Sequence, residues 1–213
     1  MKQLLRRIIG RGYGDMQALL GPADDRHSYP AEFLKAYDRT EALGCKAPPR
    51  ILVQRNCLDM EKVEPALQKF FAGYTADDIA QQGFALNVNL VPYLIAEVGM
   101  PMILTIGWIE LNGHPAYKHD DDFLRTLIRA GTSGFGVQGV PLHIWLTSLA
   151  CEVLDTTFTS TLAAETGDTG VAGRLLYQRN DNRDPDLVYH PTVVGVDFLD
   201  QIGATIVRSG ERH

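Results

Sequence analysis

Cysteine is scarce in this chain, and long uninterrupted apolar runs are missing. The 213 residues include only Cys45, Cys57 and Cys151, whose spacing fits neither a disulfide framework nor a zinc motif. An odd number of cysteines is more typical of a reducing compartment. The longest apolar stretch, residues 84–111, is interrupted by Asn, Glu and Pro residues that would be costly inside a bilayer. We therefore expect no disulfide scaffold and no membrane span.

Neither sign of charge dominates, and aromatic residues make up 8% of the chain. The net charge of -6 argues against a broad nucleic-acid-binding surface. Apolar residues at 45% and charged residues at 22% are typical of a soluble globular protein with a full core. The apolar run within residues 1–12 is too short and too interrupted for a secretory leader. We expect a protein that is cytoplasmic, or exported without a cleavable signal peptide, and that has no nucleic-acid partner.

The length fits a single domain over residues 1–213. Helical patterns prevail in residues 1–80, where Pro30 begins a helix to about Leu43 and Asp59 caps another that ends at Gly73. A short helix from Thr75 to Ala80 comes next. Residues 81–213 then combine a central apolar helix with most of the predicted strands. The pattern predicts an α+β fold in which a helical N-terminal half packs on a small antiparallel sheet.

The strands are predicted from short apolar runs between turn signals. Residues 102–111 form one strand that ends at the turn Asn112-Gly113. Residues 142–147 and 152–158 form two further strands joined by a tight turn. The glycine-rich residues 131–139 are a loop that either gates a pocket or simply connects two elements. Residues 188–194 read as a strand, and residues 196–207 as a helix.

The strongest functional pattern is a histidine and an aspartate on the two strands of this hairpin. His143 lies in the segment LHIWL and Asp155 lies twelve residues later in EVLDTTF. A hairpin brings both to the same end of adjacent strands, where the carboxylate holds the imidazole as in the general-base half of a catalytic triad. The alternative is a histidine that only packs or hydrogen-bonds locally. If the pair is catalytic, we expect its substitution to affect stability little compared with core truncations, which cost about 2–5 kcal/mol.

Gly83, Phe84 and Asn89 precede this pair and add a second pattern. Together with the order helix, strand, His-bearing strand and Asp-bearing strand, it resembles the papain-like cysteine enzymes, in particular the transglutaminase-like and arylamine N-acetyltransferase branch. Those enzymes place a nucleophilic Cys at the start of a buried helix, in patterns such as G-[FWY]-C-x-x-x-N. The resemblance covers about residues 80–160, and it puts Ala85 at the position of the nucleophilic Cys.

The resemblance implies a papain-like fold and a Cys-His-Asp hydrolase or acyl or amide transferase. Such an enzyme acts on an amide or thioester carbonyl through a covalent thioester, needs no cofactor, and takes a peptide, protein or acyl donor as substrate. With Ala85 in place of the Cys, this chain would be an inactive form, engineered or natural. Two alternatives remain open: a natural pseudoenzyme that binds a peptide or acyl group, and a toxin or effector that acts as a protease or deamidase.

Ala85 also has a simpler interpretation, as a good helix former in a core position. Pro92 bears on the choice because proline in a helix interior costs about 3 kcal/mol. Either the regular helix begins near Asn89, or the helix is kinked at Pro92. The first arrangement leaves Ala85 on an irregular segment, and the second places it at a helix N-terminus, where free N–H groups favour a thiolate.

The resemblance implies further residues of the site. By likeness to the upstream Gln of papain-like enzymes, Gln81 or Gln82 would supply an oxyanion-hole amide, unless each is only a polar helix end. Phe84 and Trp145 would line the substrate pocket, although Trp145 fits the core equally well. Cys57 is a rival nucleophile because the nearby Arg55 would lower its thiol pKa, although free cysteines are often buried.

A metal site is not expected. His114, His119 and the aspartates at 120–122 match no ligand spacing of a helix or strand. Carboxylates directly before a helix are ordinary capping residues.

Overall fold

The structure is a computed structural model that describes residues 28–53, 56–131 and 140–204. Its α-helices are α1 Tyr29–Ala42, α2 Met60–Phe71, α3 Ala76–Val98, α4 Asp121–Ala130, α5 Phe158–Thr166 and α6 Asp197–Gln201. Its strands are β1 Met102–Leu111, β2 His114–Ala116, β3 His143–Ser148, β4 Val153–Asp155, β5 Leu176–Gln178 and β6 Leu187–Val194. A 3-10 turn, Thr169–Val171, follows α5. The first 27 residues of the predicted helical half and most of the glycine-rich loop lie outside the described residues.

Helix α3 begins at a capping box and continues for 23 residues. The Thr75 hydroxyl accepts a hydrogen bond from the Asp78 amide at 3.1 Å, and the Asp78 carboxylate accepts one from the Thr75 amide at 2.8 Å. Gly99, in the left-handed conformation, ends the helix. The expectation of a separate short helix up to Ala80 is therefore wrong, and Pro92 lies inside the helix on an exposed position.

The strands form an antiparallel sheet in the order β2-β1-β3-β4-β5, with β6 also paired to β1. In the β1–β3 pair, Ile106 lies opposite Ile144, and Thr105 lies opposite Trp145. Side chains alternate between the two faces of a strand, so consecutive residues of β1 belong to different sides of the sheet. One face packs on α3 and the other packs on α1.

Two hydrophobic clusters occupy the two faces. The α3-side cluster contains Leu104, Ile106, Ile144, Leu146, Leu90 and Leu94 among its buried members. The α1-side cluster contains Ile103, Trp145, Val153, Tyr189, Tyr29 and Phe33 among its buried members. Burying apolar surface on both faces stabilises a single sheet between two helical layers. The α+β class predicted from the sequence is confirmed.

Strand β4 is shorter than the sequence pattern predicts. Only Val153–Asp155 pairs as a strand, and α5 begins at Phe158. Asp155 Oδ1 accepts hydrogen bonds from the amides of Thr157 and Phe158, both at 3.0 Å. These amides at the start of a helix have no intrahelical partner, so the carboxylate replaces the missing one. The expected strand over residues 152–158 is therefore wrong in its second half.

The β1–β6 pairing contains a register shift between Ile106 and Gly107. A methyl group at Gly107 would collide with the carbonyl oxygen of His190 and would lie 2.7 Å from the Trp145 ring. Glycine therefore permits the close approach of β1 and β6 beside the start of β3.

Among the helices in the described part of the chain, none has both the length and the apolar character that a membrane span needs.

Candidate functional site

His143 and Asp155 form a buried hydrogen-bonded pair. His143 is the first residue of β3, and Asp155 is the last residue of β4. The ring Nε2 lies 2.6 Å from Asp155 Oδ2, and the two side chains are 5% and 0% exposed. The contact that the hairpin spacing predicts is present.

The Asp155 carboxylate is saturated with hydrogen-bond donors. Oδ2 accepts from His143 and from the Tyr189 hydroxyl, the latter at 3.0 Å. Oδ1 accepts from the backbone amides of Thr157 and Phe158. Burial by itself would raise the pKa of Asp155, but the neighbouring His143 and the hydrogen bonds more than offset it, so the pKa lies below its usual value. Asp155 is therefore ionised at neutral pH.

An ionised carboxylate can only accept, so His143 donates its Nε2–H to Asp155. In the neutral ring this places the proton on Nε2 and leaves the lone pair on Nδ1. Such an imidazole can take up a proton or accept a hydrogen bond through Nδ1. This is the chemistry expected of the general-base half of a triad.

Aromatic rings surround His143. Tyr117 and Trp145 lie nearly parallel to the imidazole, with ring centroids at 5.6 Å and 5.8 Å, and Phe158 meets it edge-on at 5.6 Å. Trp145 is also core, since it is fully buried and donates its ring N–H to the Tyr29 hydroxyl. The imidazole thus has apolar walls and a charged partner at one end.

Tyr117 and Tyr189 are functional candidates that the sequence patterns missed. Tyr117 has a φ of 62°, rare for a residue with a side chain, and its hydroxyl donates to Glu165 at 3.0 Å. Tyr189 comes from β6, which is 34 residues from Asp155 in the chain. No local spacing links either tyrosine to His143, because only the sheet topology brings them together.

Ala85 does not lie where the sequence places it. It is an interior residue of α3, so the expectation of a helix N-terminus or an irregular segment is wrong. At Gly83 the helix approaches Thr157, because a methyl group there would lie 3.4 Å from the Thr157 side chain. Two residues further on, Ala85 projects about 200° around the helix axis from Gly83. The His143 ring, stacked with Trp145, lies on the α1 side of the sheet, whereas α3 packs on the other side.

The other predicted pocket residues are also spread apart. Gln81 and Gln82 are exposed on α3, and Phe84 is half-buried against the α3-side cluster. Of the predicted set, the structure brings His143, Asp155 and Trp145 together.

Cys57 does not have the properties of an activated nucleophile. Its thiol donates to Glu152 Oε2 at 3.4 Å, and burial raises its pKa. This direction is opposite to the one expected from Arg55, which lies outside the described residues. Burial likewise raises the pKa of Cys45 and of Cys151 to about 11.

Both ring nitrogens of His119 have hydrogen-bond partners. Its Nδ1 lies 2.8 Å from the carbonyl oxygens of both Tyr117 and Pro141, and its Nε2 lies 3.0 Å from the Thr192 hydroxyl. It therefore ties together the segments on either side of the site. Within the described residues, no cluster of three or more His, Cys, Asp or Glu is arranged to hold a metal ion.

Comparisons of the chain with protein-family models, with curated proteins and with solved structures find no match.

Proposed function

We propose that this chain is a pseudoenzyme-type binding domain with a papain-like, transglutaminase-like arrangement, which holds an amide-bearing peptide group at His143. The observation that carries the proposal is a complete His143–Asp155 pair at 2.6 Å combined with Ala85 on an interior helix position. The pair supplies a polarised imidazole, and position 85 supplies no sulfur. This combination suits noncovalent binding of a ligand better than covalent catalysis.

The state of the His143 ring selects the ligand chemistry. Nε2 donates to Asp155, so Nδ1 is an acceptor and pairs with an N–H donor. The flat face of Tyr117, which lies nearly parallel to the imidazole, favours a planar group such as a peptide or side-chain amide. A primary or secondary amide therefore fits this site better than a thioester, which has no N–H.

Access to His143 requires Tyr117 to move. His143 is 4% exposed, and the Tyr117 ring lies beside it. The hydrogen bond from Tyr117 to Glu165 is exposed, so it contributes only about 1 kcal/mol and yields readily. The proposal therefore requires that the Tyr117 ring be displaced to admit a small amide.

The binding test uses N-acetyl-L-glutaminamide as the probe, followed through the ¹⁵N signals of the His143 ring. We expect a saturable change at His143, stronger in Tyr117→Ala because the ring no longer covers the imidazole. Tyr74→Ala, which removes an exposed tyrosine, is the matched control and should bind like the parent protein. Absence of any change at His143 in both the parent and Tyr117→Ala would remove the proposal. Release of ammonia from the probe, lost in His143→Gln, would also overturn it and show an enzyme instead.

The second candidate is a cysteine-dependent hydrolase or acyl or amide transferase that is inactive here because Ala85 replaces its thiol. The element order of α3, β1, β3 and β4 and the approach of Gly83 to Thr157 favour it. It requires that the Ala85→Cys thiol react with iodoacetamide faster than Cys45, Cys57 and Cys151, and that His143→Ala remove the difference.

The helix geometry predicts the opposite result, because an interior helix position offers no free N–H groups to a thiolate. Asn89→Cys gives an exposed thiol on the same helix and serves as the reference. Equal labelling rates at positions 85 and 89 would exclude this second candidate.

A further inference from the structure

Tyr189 reaches the His143–Asp155 pair from a third strand. It lies on β6 opposite Ile109 of β1 and is 2% exposed. Its ring meets Trp145 edge-on at 5.1 Å, which fixes the direction of its hydroxyl. That hydroxyl donates to Asp155 Oδ2 at 3.0 Å.

The two oxygens of Asp155 accept hydrogen bonds from different donors. Oδ1 is fixed by the Thr157 and Phe158 amides, which belong to the backbone. Oδ2 is shared between His143 and Tyr189. Two donors on one oxygen divide its electron density, so each bond is weaker than it would be alone.

We propose that Tyr189 is a positioning residue for His143, which fixes Asp155 Oδ2 and limits how strongly that oxygen holds the imidazole proton. The Tyr189 hydroxyl and the His143 Nε2–H share Oδ2, so the position of the Tyr189 hydroxyl helps to set the position of the imidazole. The consequence for ligands rests on the proposed function, whereas the effect on the ring does not.

Burial and the neighbouring charges keep the Tyr189 hydroxyl protonated, so that it donates its hydrogen bond to Asp155. Burial first, and then the Asp155 charge, raise the pKa of Tyr189 well above its ordinary value, with a smaller opposing effect from Arg183. Tyr29, the other neighbour, has its pKa raised to about 12 by burial. Tyr117, beside the ring, has its pKa raised by burial and by the nearby Glu165. These hydroxyls therefore keep their protons through the neutral range.

The test is the NMR resonance of the His143 Nε2 proton in Tyr189→Phe. This variant keeps the aromatic ring of residue 189 and removes its hydroxyl. Asp155 Oδ2 then accepts a hydrogen bond from His143 alone. That bond strengthens, so the resonance of the His143 Nε2 proton moves downfield. Tyr177→Phe is the matched control, because it removes a hydroxyl from another buried carboxylate, Glu152, at 2.7 Å. It should leave the Nε2 proton resonance of His143 unchanged.

A second measurement covers the case in which Tyr189→Phe does not fold. Biosynthetic replacement of tyrosine by 3-fluorotyrosine makes the hydroxyl a stronger donor, so the Nε2 proton should move upfield, opposite to the Phe variant. An unmoved resonance in the fluorinated protein, or in folded Tyr189→Phe, would overturn the positioning role.

Neither resonance measurement contains a ligand, so the two proposals fail separately. A resonance that moves in a protein that does not bind N-acetyl-L-glutaminamide supports the role of Tyr189 and removes the binding function. If the probe binds and the resonance does not move in folded Tyr189→Phe, the binding function is supported and the role of Tyr189 is removed.

Discussion

The Asp155 carboxylate has a backbone or side-chain donor at each of its oxygens. Its side chain is fully buried, and its loss would leave His143, Tyr189 and two amides without an acceptor. A catalytic carboxylate in an open cleft would contribute little to stability, which was the expectation from the sequence. Burial reverses that expectation.

We therefore predict that Asp155→Ala lowers the free energy of unfolding by about 3–5 kcal/mol, the range for breaking a buried pair from one side. Urea denaturation measures the change. Asp121→Ala is the control, since Asp121 pairs with Arg39 at 2.8 Å but is 48% exposed, and its loss should cost no more than about 1 kcal/mol. Equal losses in both variants would contradict the structural role of Asp155.

The local part of the site was predictable, and the rest was not. His143 and Asp155 are twelve residues apart on consecutive strands, so a hairpin alone sets their contact. Tyr117 and Tyr189 come from other strands, and no sequence spacing identifies them. Ala85 was misplaced because the motif fixes an order along the chain but not the direction in which a helix residue projects.

At the scale of elements, two glycines give opposite predictions for the same substitution. Gly83→Ala adds a methyl group at ordinary contact distance from Thr157, 3.4 Å, inside a helix. Alanine is a better helix former than glycine by about 1 kcal/mol, so we expect stability to rise by up to about that amount.

Gly107→Ala, in contrast, should lower stability by about 3 kcal/mol. The added methyl group would collide with the backbone of His190, which cannot move aside as a flexible side chain can. Thermal denaturation of Gly83→Ala and Gly107→Ala measures the two changes in stability. A tolerated alanine at position 107 would show that the close approach of β1 and β6 is not required.

Glu152 joins the β3–β4 turn to the segment before α2. One carboxylate oxygen accepts from the amides of Cys57 and Leu58 and from the Ser148 hydroxyl, and the other accepts from Tyr177. Burial opposes the charged form, but these hydrogen bonds outweigh it, so the pKa of Glu152 is lowered. A lowered folded-state pKa contributes stability that is present above the unfolded-state pKa and lost as the pH falls through the folded-state value.

We therefore predict that Glu152→Gln is less stable than the parent at pH 7 by about 1–3 kcal/mol, because its NH2 group faces amide donors. The difference should shrink as the pH falls from the unfolded-state pKa of about 4.3 through the lowered folded-state pKa, because the parent carboxylate then becomes protonated. Urea unfolding at pH 7 and pH 3 checks this. Glu61→Gln, an exposed position, should show no such pH dependence, and a constant difference for Glu152→Gln would contradict the linkage.

At the scale of the whole molecule, the two hydrophobic clusters share the same strands. The α1-side cluster includes Phe33 and the α3-side cluster includes Leu90, both fully buried. Because neither cluster can exist without the sheet between them, unfolding should be one cooperative transition.

We predict that Phe33→Ala and Leu90→Ala each lower stability by about 2–5 kcal/mol and keep a single transition. Far-ultraviolet circular dichroism reports the helices, and the fluorescence of the buried Trp145, measured with Trp108 replaced by Phe, reports the α1 side. The two signals should coincide in each variant. Separate midpoints would mean that the two faces unfold independently.

The sequence by itself determined the α+β class, the helices α1 and α2, the strand β1 and the contact between His143 and Asp155. These depend on local signals: capping residues, apolar periodicity, turn residues and a short hairpin. Only the tertiary structure decided that α3 is continuous, that it packs on the face away from the His143 ring, and that Tyr117 and Tyr189 join the site. Those features depend on which face of the sheet each element covers, and contacts between distant segments set that choice because they bury the most apolar surface.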